Sequence, residues 1–300
     1  MSLKARRVKF DWDSTPLHWI PGDAFTTHVI NVLHLLLPAG EAWFCDVYRQ
    51  AMPFLPEGQL REDVKGFIGQ EAIHGRAHQA VLDHLAAQGL STTRYTNFMN
   101  WFFTKFLGDH HLGLNQGPQW MRKSWLITRL AIIAAIEHFT CILGWWAISD
   151  SAALDRAHAD PVMLDLLRWH GSEEVEHRAV AYDLYRGMSG GYPRRVAAMC
   201  VTGPTIIALW IWGAHFLVKH DPTTTRKDRA SVRRYNKVAR HTGRLPRIWY
   251  LISAAPRYCK PSYHPSKECN TALALAYIRQ SPAAQAYAAP RGPEPLMHIA

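Results

Sequence analysis

The sequence predicts an all-α fold: a bundle of four core helices, with additional helices around it and an irregular C-terminal tail. Three observations lead there. Long segments carry apolar positions at spacings of three and four, the period of an amphipathic helix. No stretch shows the apolar/polar alternation of a half-buried strand. Four of the helical segments each set a glutamate, or a glutamate and a histidine, inside an otherwise apolar face.

The first helix is expected through Thr26–Arg49, with a kink or restart at Pro38-Ala39-Gly40 and an end at Pro53 and Pro56. The second spans Glu57 to Gln88 and stops at Gly89. Aromatic-rich Trp101–Leu107 reads as a short helix or a lid. The third long helix covers Trp120–Ser149, and the fourth Pro161–Met188, ending before Ser189-Gly190-Gly191. Apolar Val196–Val218 and the basic stretch after Pro222 give two more helices. The chain from Pro246 is proline-rich. The expected organisation is thus a helical metal-binding domain over 1–245 and an irregular tail over 246–300 packed on it.

Three hundred residues with 48% hydrophobic content suffice for one sizeable core. The first sixteen residues mix Lys4, Arg6, Arg7 and Lys9 with Asp11 and Asp13 and lack an apolar h-region, which argues against a secretory signal. Five widely spaced cysteines, none in a CxxC pair, argue against a disulfide framework or a thiolate zinc site and suit a reducing cytosol. Most of the formal charge of +10 sits between Lys219 and Arg247, a local net of +8. No nucleic-acid-binding motif accompanies it, so nucleic acid is not an expected partner. This basic block directly follows Val196–Val218, an apolar stretch of 23 residues whose only strongly polar side chain is His215 and which Gly203-Pro204 breaks near the middle. The pairing leads to a cytoplasmic protein, peripheral on the anionic inner face of the cytoplasmic membrane; the alternative is a fifth core helix with a solvated basic neighbour.

The chemistry is expected from Glu41, Glu71-Ala-Ile-His74, Glu137 and Glu174-Val-Glu-His177, one group per core helix. Three residues are about 300° of helical rotation, so the Glu and His of each pair share a face and grip one ion. Glu41 and Glu137 then ligate or bridge. His170, four residues before Glu174, offers the ion of Glu174 and His177 an extra imidazole, or supports the site from outside. His78 reads as such a supporting residue, Glu173 and Glu176 as pointing to Arg178 or solvent, and Cys45 and Cys141 as small apolar cavity lining.

Pro38-Ala-Gly-Glu41, Phe67-Ile-Gly-Gln-Glu71-Ala-Ile-His74-Gly-Arg-Ala-His78, Ile136-Glu137-His138-Phe-Thr140 and Trp169-His170-Gly-Ser-Glu173-Glu174-Val-Glu-His177 resemble the bacterial family called "predicted metal-dependent hydrolase". The similarity runs from about residue 20 to 270 and includes Tyr263-His264-Pro265. The ligand order separately resembles ferritin-like di-iron carboxylate proteins, and His170-x3-Glu174-x2-His177 is similar to the extra-histidine pattern of p-aminobenzoate N-oxygenase-type enzymes. That resemblance implies two metal ions, iron first and manganese or zinc as alternatives. The leading expectation is an oxidase or oxygenase using O2 on a hydrophobic or lipid-like substrate. A binuclear hydrolase, with Glu173 or Glu176 as base, and a non-catalytic metal-binding protein are the alternatives. A homodimer is the assembly left open.

Overall fold

The computed structural model describes residues 3–109 and 118–288, and among them all regular structure is helical. The helices are α1 (Ala24–Ala51), α2 (Gln59–Ala87), α3 (Thr93–Trp101), α4 (Gln119–Ser149), α5 (Ala152–Arg156), α6 (Pro161–His177), α7 (Val180–Gly187), α8 (Tyr192–His220), α9 (Val232–His241), α10 (Ile248–Ile252), α11 (Ala254–Tyr258), α12 (Thr271–Gln280) and α13 (Pro282–Ala288). Their ends follow from local chemistry. Asp23 and Asp160 cap α1 and α6 by accepting from backbone N–H groups two or three residues on. At the end of α2, Gly89 takes φ +88°, and Leu90 N–H donates to Leu85 carbonyl while Gly89 N–H donates to Ala86. This pairing uses up carbonyls that the helix would otherwise leave open, and glycine enters the left-handed region without a Cβ clash.

The core is built from two helix pairs, α1 with α2 and α4 with α6. The second pair approaches backbone to backbone: a Cβ on Gly144 would lie 2.5 Å from the Gly171 carbonyl oxygen, and one on Gly171 would lie 2.7 Å from Gly144 Cα. Two facing glycines therefore set the distance between the two helices. Helix α8 lies against α1 and α4, with Trp210 donating to Val29 carbonyl, and α12 packs on α6.

Several elements differ from the sequence expectation. Helix α1 runs unbroken through Pro38. The expected fourth helix is two, α6 and α7, separated at Arg178 and Ala179. No glycine or proline stands there; the break is tertiary, because Arg178 reaches Pro265 and Ser266 carbonyls and Thr271 Oγ1 in the tail. Val196–Val218 belongs to one helix that passes through Pro204. The aromatic run forms a π-helical turn, Phe102–Phe106, after α3. Among its described residues, 246–288, the expected tail is more helical than its prolines suggest, since Pro282 sits at a helix start, where its missing N–H costs no intrahelical bond; the rest of that expectation, 289–300, lies outside the described residues.

Candidate metal centre

Helix α1 carries Glu41, α2 carries Glu71 and His74, α4 carries Glu137, and α6 carries His170, Glu174 and His177. All seven residues are buried, none more than 5% exposed. The structure brings them together. At one end Glu41, His74 and His170 form a close group; at the other Glu71, Glu137 and His177 do; and Glu71, His74 and Glu174 form a third group between. His177 Nε2 lies 3.2 Å from Glu137 Oε2 and 3.4 Å from both Glu71 Oε1 and Glu174 Oε2. His170 Nε2 lies 2.8 Å from Glu174 Oε1 and 3.7 Å from Glu41 Oε1.

This placement differs from the expected division of labour. The lone glutamates, Glu41 and Glu137, stand at opposite ends, and the glutamates of the two Glu-x-x-His pairs stand in the middle. His170 groups with Glu41 and His74 rather than with His177. The reason is geometric: one turn along α6 separates His170 from Glu174, so His170 faces the far half of the cluster.

Apart from His170 Nε2 and Glu174 Oε1, which pair with each other, the inward-facing atoms are left without partners. Both oxygens of Glu41 and of Glu137, Glu71 Oε1, Glu174 Oε2, His74 Nδ1 and His177 Nε2 are buried with no hydrogen bond. A buried carboxylate without compensation is costly, and two divalent ions would balance four glutamates in charge. The donor set therefore fits metal ions. Protonation reflects the same crowding. Burial, reinforced by Glu71, pushes the Glu41 carboxyl well above its ordinary range, and burial with Glu174 nearby pushes Glu137 up to about 8. For Glu174, burial raises the carboxyl but His177 and His170 more than offset it, leaving it well below the usual range. Gly75 belongs to the design too, since a Cβ there would sit 3.3 Å from Glu41 Oε2.

Around this centre the outward-facing atoms are well paired. His74 Nε2 and Glu173 Oε2 are 2.9 Å apart, and Arg6 Nη1 donates to Glu173 Oε1 at 2.9 Å. Arg6 also holds Glu176 through both of its terminal nitrogens, and Gln70 Nε2 donates to Glu176 as well. Glu173 and Glu176 thus point to Arg6 rather than to Arg178 or solvent. His177 Nδ1 lies 3.2 Å from the Gln70 side-chain oxygen. A string of imidazoles runs outward, with His170 Nδ1 at 2.8 Å from His78 Nε2 and His78 Nδ1 at 2.8 Å from His34 Nδ1. Burial first, and then the neighbouring imidazoles, hold His78 well below the usual histidine range.

Sequence reasoning placed His78 outside the ligands but missed Arg6, Gln70, His34 and Tyr48. His34 had a signal, standing seven residues before Glu41 on the same helical face. Tyr48 stands seven after it; its buried hydroxyl has no partner, and it stacks on Phe67, which lies 4.5 Å from the His177 ring. Arg6 had none, being an N-terminal residue far from every motif. Cys141 does not line the centre as expected; its Sγ faces Cys269. His138 also turns away, its Nε2 accepted by Ala254 carbonyl and its Nδ1 2.7 Å from the Tyr263 hydroxyl. A separate group, His18, His28 and Asp221, ties the segment before α1 to the end of α8 through one carboxylate oxygen.

Fold and site together define an all-helical protein whose buried glutamate and histidine cluster is suited to metal. The family model described as "predicted metal-dependent hydrolase" matches residues 4–268, and the chain belongs to that family. No curated protein and no solved structure matches it.

Proposed function

We propose that the chain is an enzyme built around a dinuclear metal centre and that its reaction is metal-dependent hydrolysis. The observation that carries the metal centre is the convergence of four carboxylates and three imidazoles whose only unpaired atoms face one another. The reaction type rests on the family description. Glu41, His74 and His170 would hold one ion, Glu137 and His177 the other, with Glu71 and Glu174 between. Bound divalent ions supply Lewis acidity and a water of lowered pKa. The chain's own part is positional. Glu173 and Gln70 fix the rings of His74 and His177, Arg6 holds Glu173 and Glu176, and the His170–His78–His34 string offers a path for a proton away from the centre.

A second reading, O2-dependent oxidation at a di-iron centre, is favoured by one observation. Glu173 and Glu176 are both engaged by Arg6, so neither faces the centre as a general base. Bundle cores with two Glu-x-x-His pairs and two further glutamates are also a setting for di-iron chemistry. Metal analysis followed by two assays separates the readings. Turnover of esters or amides by zinc- or manganese-loaded protein under nitrogen supports hydrolysis, and O2 uptake by the reduced iron-loaded protein supports oxidation. Fewer than one bound metal per chain after reconstitution would remove the basis of both.

We further propose that the protein works at an anionic membrane surface on a hydrophobic or lipid-like molecule. In support, the outer face of α8 is apolar and open, with Val201 66% and Ile207 50% exposed, and Ile211 and Trp212 continue it. Phe98 and Trp101 of α3 are also exposed, and Phe98 packs edge-on against Trp212. Exposed apolar surface of this extent marks an interaction site, and the basic stretch that follows α8 suits anionic headgroups. Flotation with vesicles of anionic lipid tests it. Binding at low salt that fails for neutral vesicles and for the Ile207→Ser/Ile211→Ser variant is the expected result; self-association without vesicle binding would assign the face to a second copy instead.

A further inference from the structure

We propose that Cys141 and Cys269 form a redox-active dithiol that closes into a disulfide and straps the tail to α4. All five cysteines are free thiols in the structure, and the Sγ atoms of these two lie 3.3 Å apart. The contact joins a core helix to a tail segment 128 residues later. Chance proximity does not account for the backbone at Cys269, which stands at φ +58°, one of three non-glycine residues with positive φ among those described. A side chain there crowds its own backbone, a strain that glycine would avoid. The next residue, Asn270, caps α12 by accepting from Ala272 and Leu273 N–H, so the strained turn is fixed in place. Its effect is to aim the Cys269 thiol at Cys141. Cys141 is 2% exposed, packed with Val175 and Ala274, whereas Cys269 is half-buried and is the thiol an oxidant reaches first.

The oxidant class is a low-molecular-weight disulfide such as oxidised glutathione. Cys269 sulfur, as thiolate, attacks one sulfur of the small disulfide, forming a mixed disulfide and releasing one small thiolate. That thiolate takes up the proton lost by Cys269. Cys141 sulfur then attacks Cys269 sulfur, the mixed bond breaks, and the second small thiolate leaves with the proton of Cys141. Two protein thiols are oxidised and one small disulfide is reduced to two thiols. The new bond would fasten the tail beside the centre, since Cys141 stands one turn after Glu137 and Arg178, next to His177, already binds Pro265 carbonyl and Thr271.

The test uses the full chain, equilibrated in glutathione buffers of graded redox ratio, alkylated and mapped by mass spectrometry without reduction. The expected result is a linked peptide pair containing Cys141 and Cys269 that disappears on reduction. It should persist in Cys200→Ser/Cys259→Ser. Limited proteolysis provides the second readout, with tail release slowed at least about tenfold in the oxidised protein. Cys141 and Cys269 remaining alkylated as free thiols while Cys200 takes up glutathione would overturn the proposal. So would a mixed disulfide at Cys269 that never resolves. Both outcomes are read on the unsubstituted chain, so a folding defect in a variant does not decide the matter.

Discussion

Replacing Gly144 by alanine separates metal affinity from overall stability. The new Cβ would meet Gly171 carbonyl oxygen at 2.5 Å, Cα at 2.8 Å and carbonyl carbon at 3.0 Å, all backbone atoms that cannot swing aside. An ordinary contact begins at 3.4 Å, so α4 and α6 must part by about 1 Å locally. Overpacking of this kind costs about 1–3 kcal/mol, and replacing a mid-helix glycine returns about 1 kcal/mol. The net effect on the metal-free fold is therefore small, about 0–2 kcal/mol. The centre is less forgiving. Glu137 rides on α4, and His170, Glu174 and His177 ride on α6, so the same shift moves ligands by several times the roughly 0.2 Å tolerance of a metal site. Metal affinity should fall about 10- to 100-fold, the loss seen when support of a metal ligand is removed. Competition against a chromophoric chelator measures the affinity, and a thermal melt of metal-free protein measures the fold. Gly203→Ala serves as control, because its Cβ meets only side chains at ordinary contact distance, Phe139 at 3.6 Å and Met199 Sδ at 3.9 Å. Unchanged affinity in Gly144→Ala would refute the argument that the glycine contact sets the ligand spacing.

Three further outcomes are expected. Glu137→Gln should raise metal-free stability by roughly 2 kcal/mol, because it removes a carboxyl that pays for burial, and should abolish stabilisation by added metal; urea titration with and without metal reads both. Arg6→Ala should destabilise the fold by roughly 2 kcal/mol, less than for a fully buried pair because the guanidinium side chain is 26% exposed while Glu173 is fully buried; chemical denaturation checks it, and an unchanged midpoint would mean solvent replaces the guanidinium at no cost. Acid should weaken the fold from pH 6.5 downward through His28, which burial, partly offset by Asp221, holds below its ordinary 6.5. In that window the unfolded chain takes up a proton that the folded chain refuses, so stability falls with pH, and His28→Gln should flatten the slope. Asp221, whose carboxyl is depressed below 3.8 by Thr223, His18 and His28 against the cost of burial, adds its own loss only under more acidic conditions.

The helices of the candidate centre were legible because a glutamate inside an apolar face contradicts its surroundings, and the sequence offers four such contradictions in order. Helix ends were legible where a proline or glycine stood at them, as at Pro161 and Gly89, whereas the cap at Asp23 was not read and the first helix was expected to begin two residues late. What the pattern could not show is anything decided between elements. The break after His177 depends on Arg178 reaching tail carbonyls, and α6 and α7 share one unbroken helical periodicity. Which glutamates stand in the middle depends on how the four helices are offset along their axes, and spacing within one helix carries no information on that. Arg6 illustrates the same limit, since a basic residue near a chain end looks solvated until the helix that receives it is placed.

The two ends of the centre are chemically unequal, and this follows from neighbours rather than from ligands alone. At the Glu41 end two imidazoles face inward, and His170 leads outward through His78 to His34, whose Nε2 is buried without a partner. At the Glu137 end one imidazole faces inward against an aromatic wall, with Phe67 on the His177 ring and Tyr48 stacked behind it. The Glu41 end thus adjoins a polar string of imidazoles, and the Glu137 end adjoins an aromatic wall. Two ions bound here would differ in nitrogen content by one imidazole. Their affinities should then differ as well, with the nitrogen-rich end filling first for a metal that prefers imidazole, such as zinc, and less selectively for manganese.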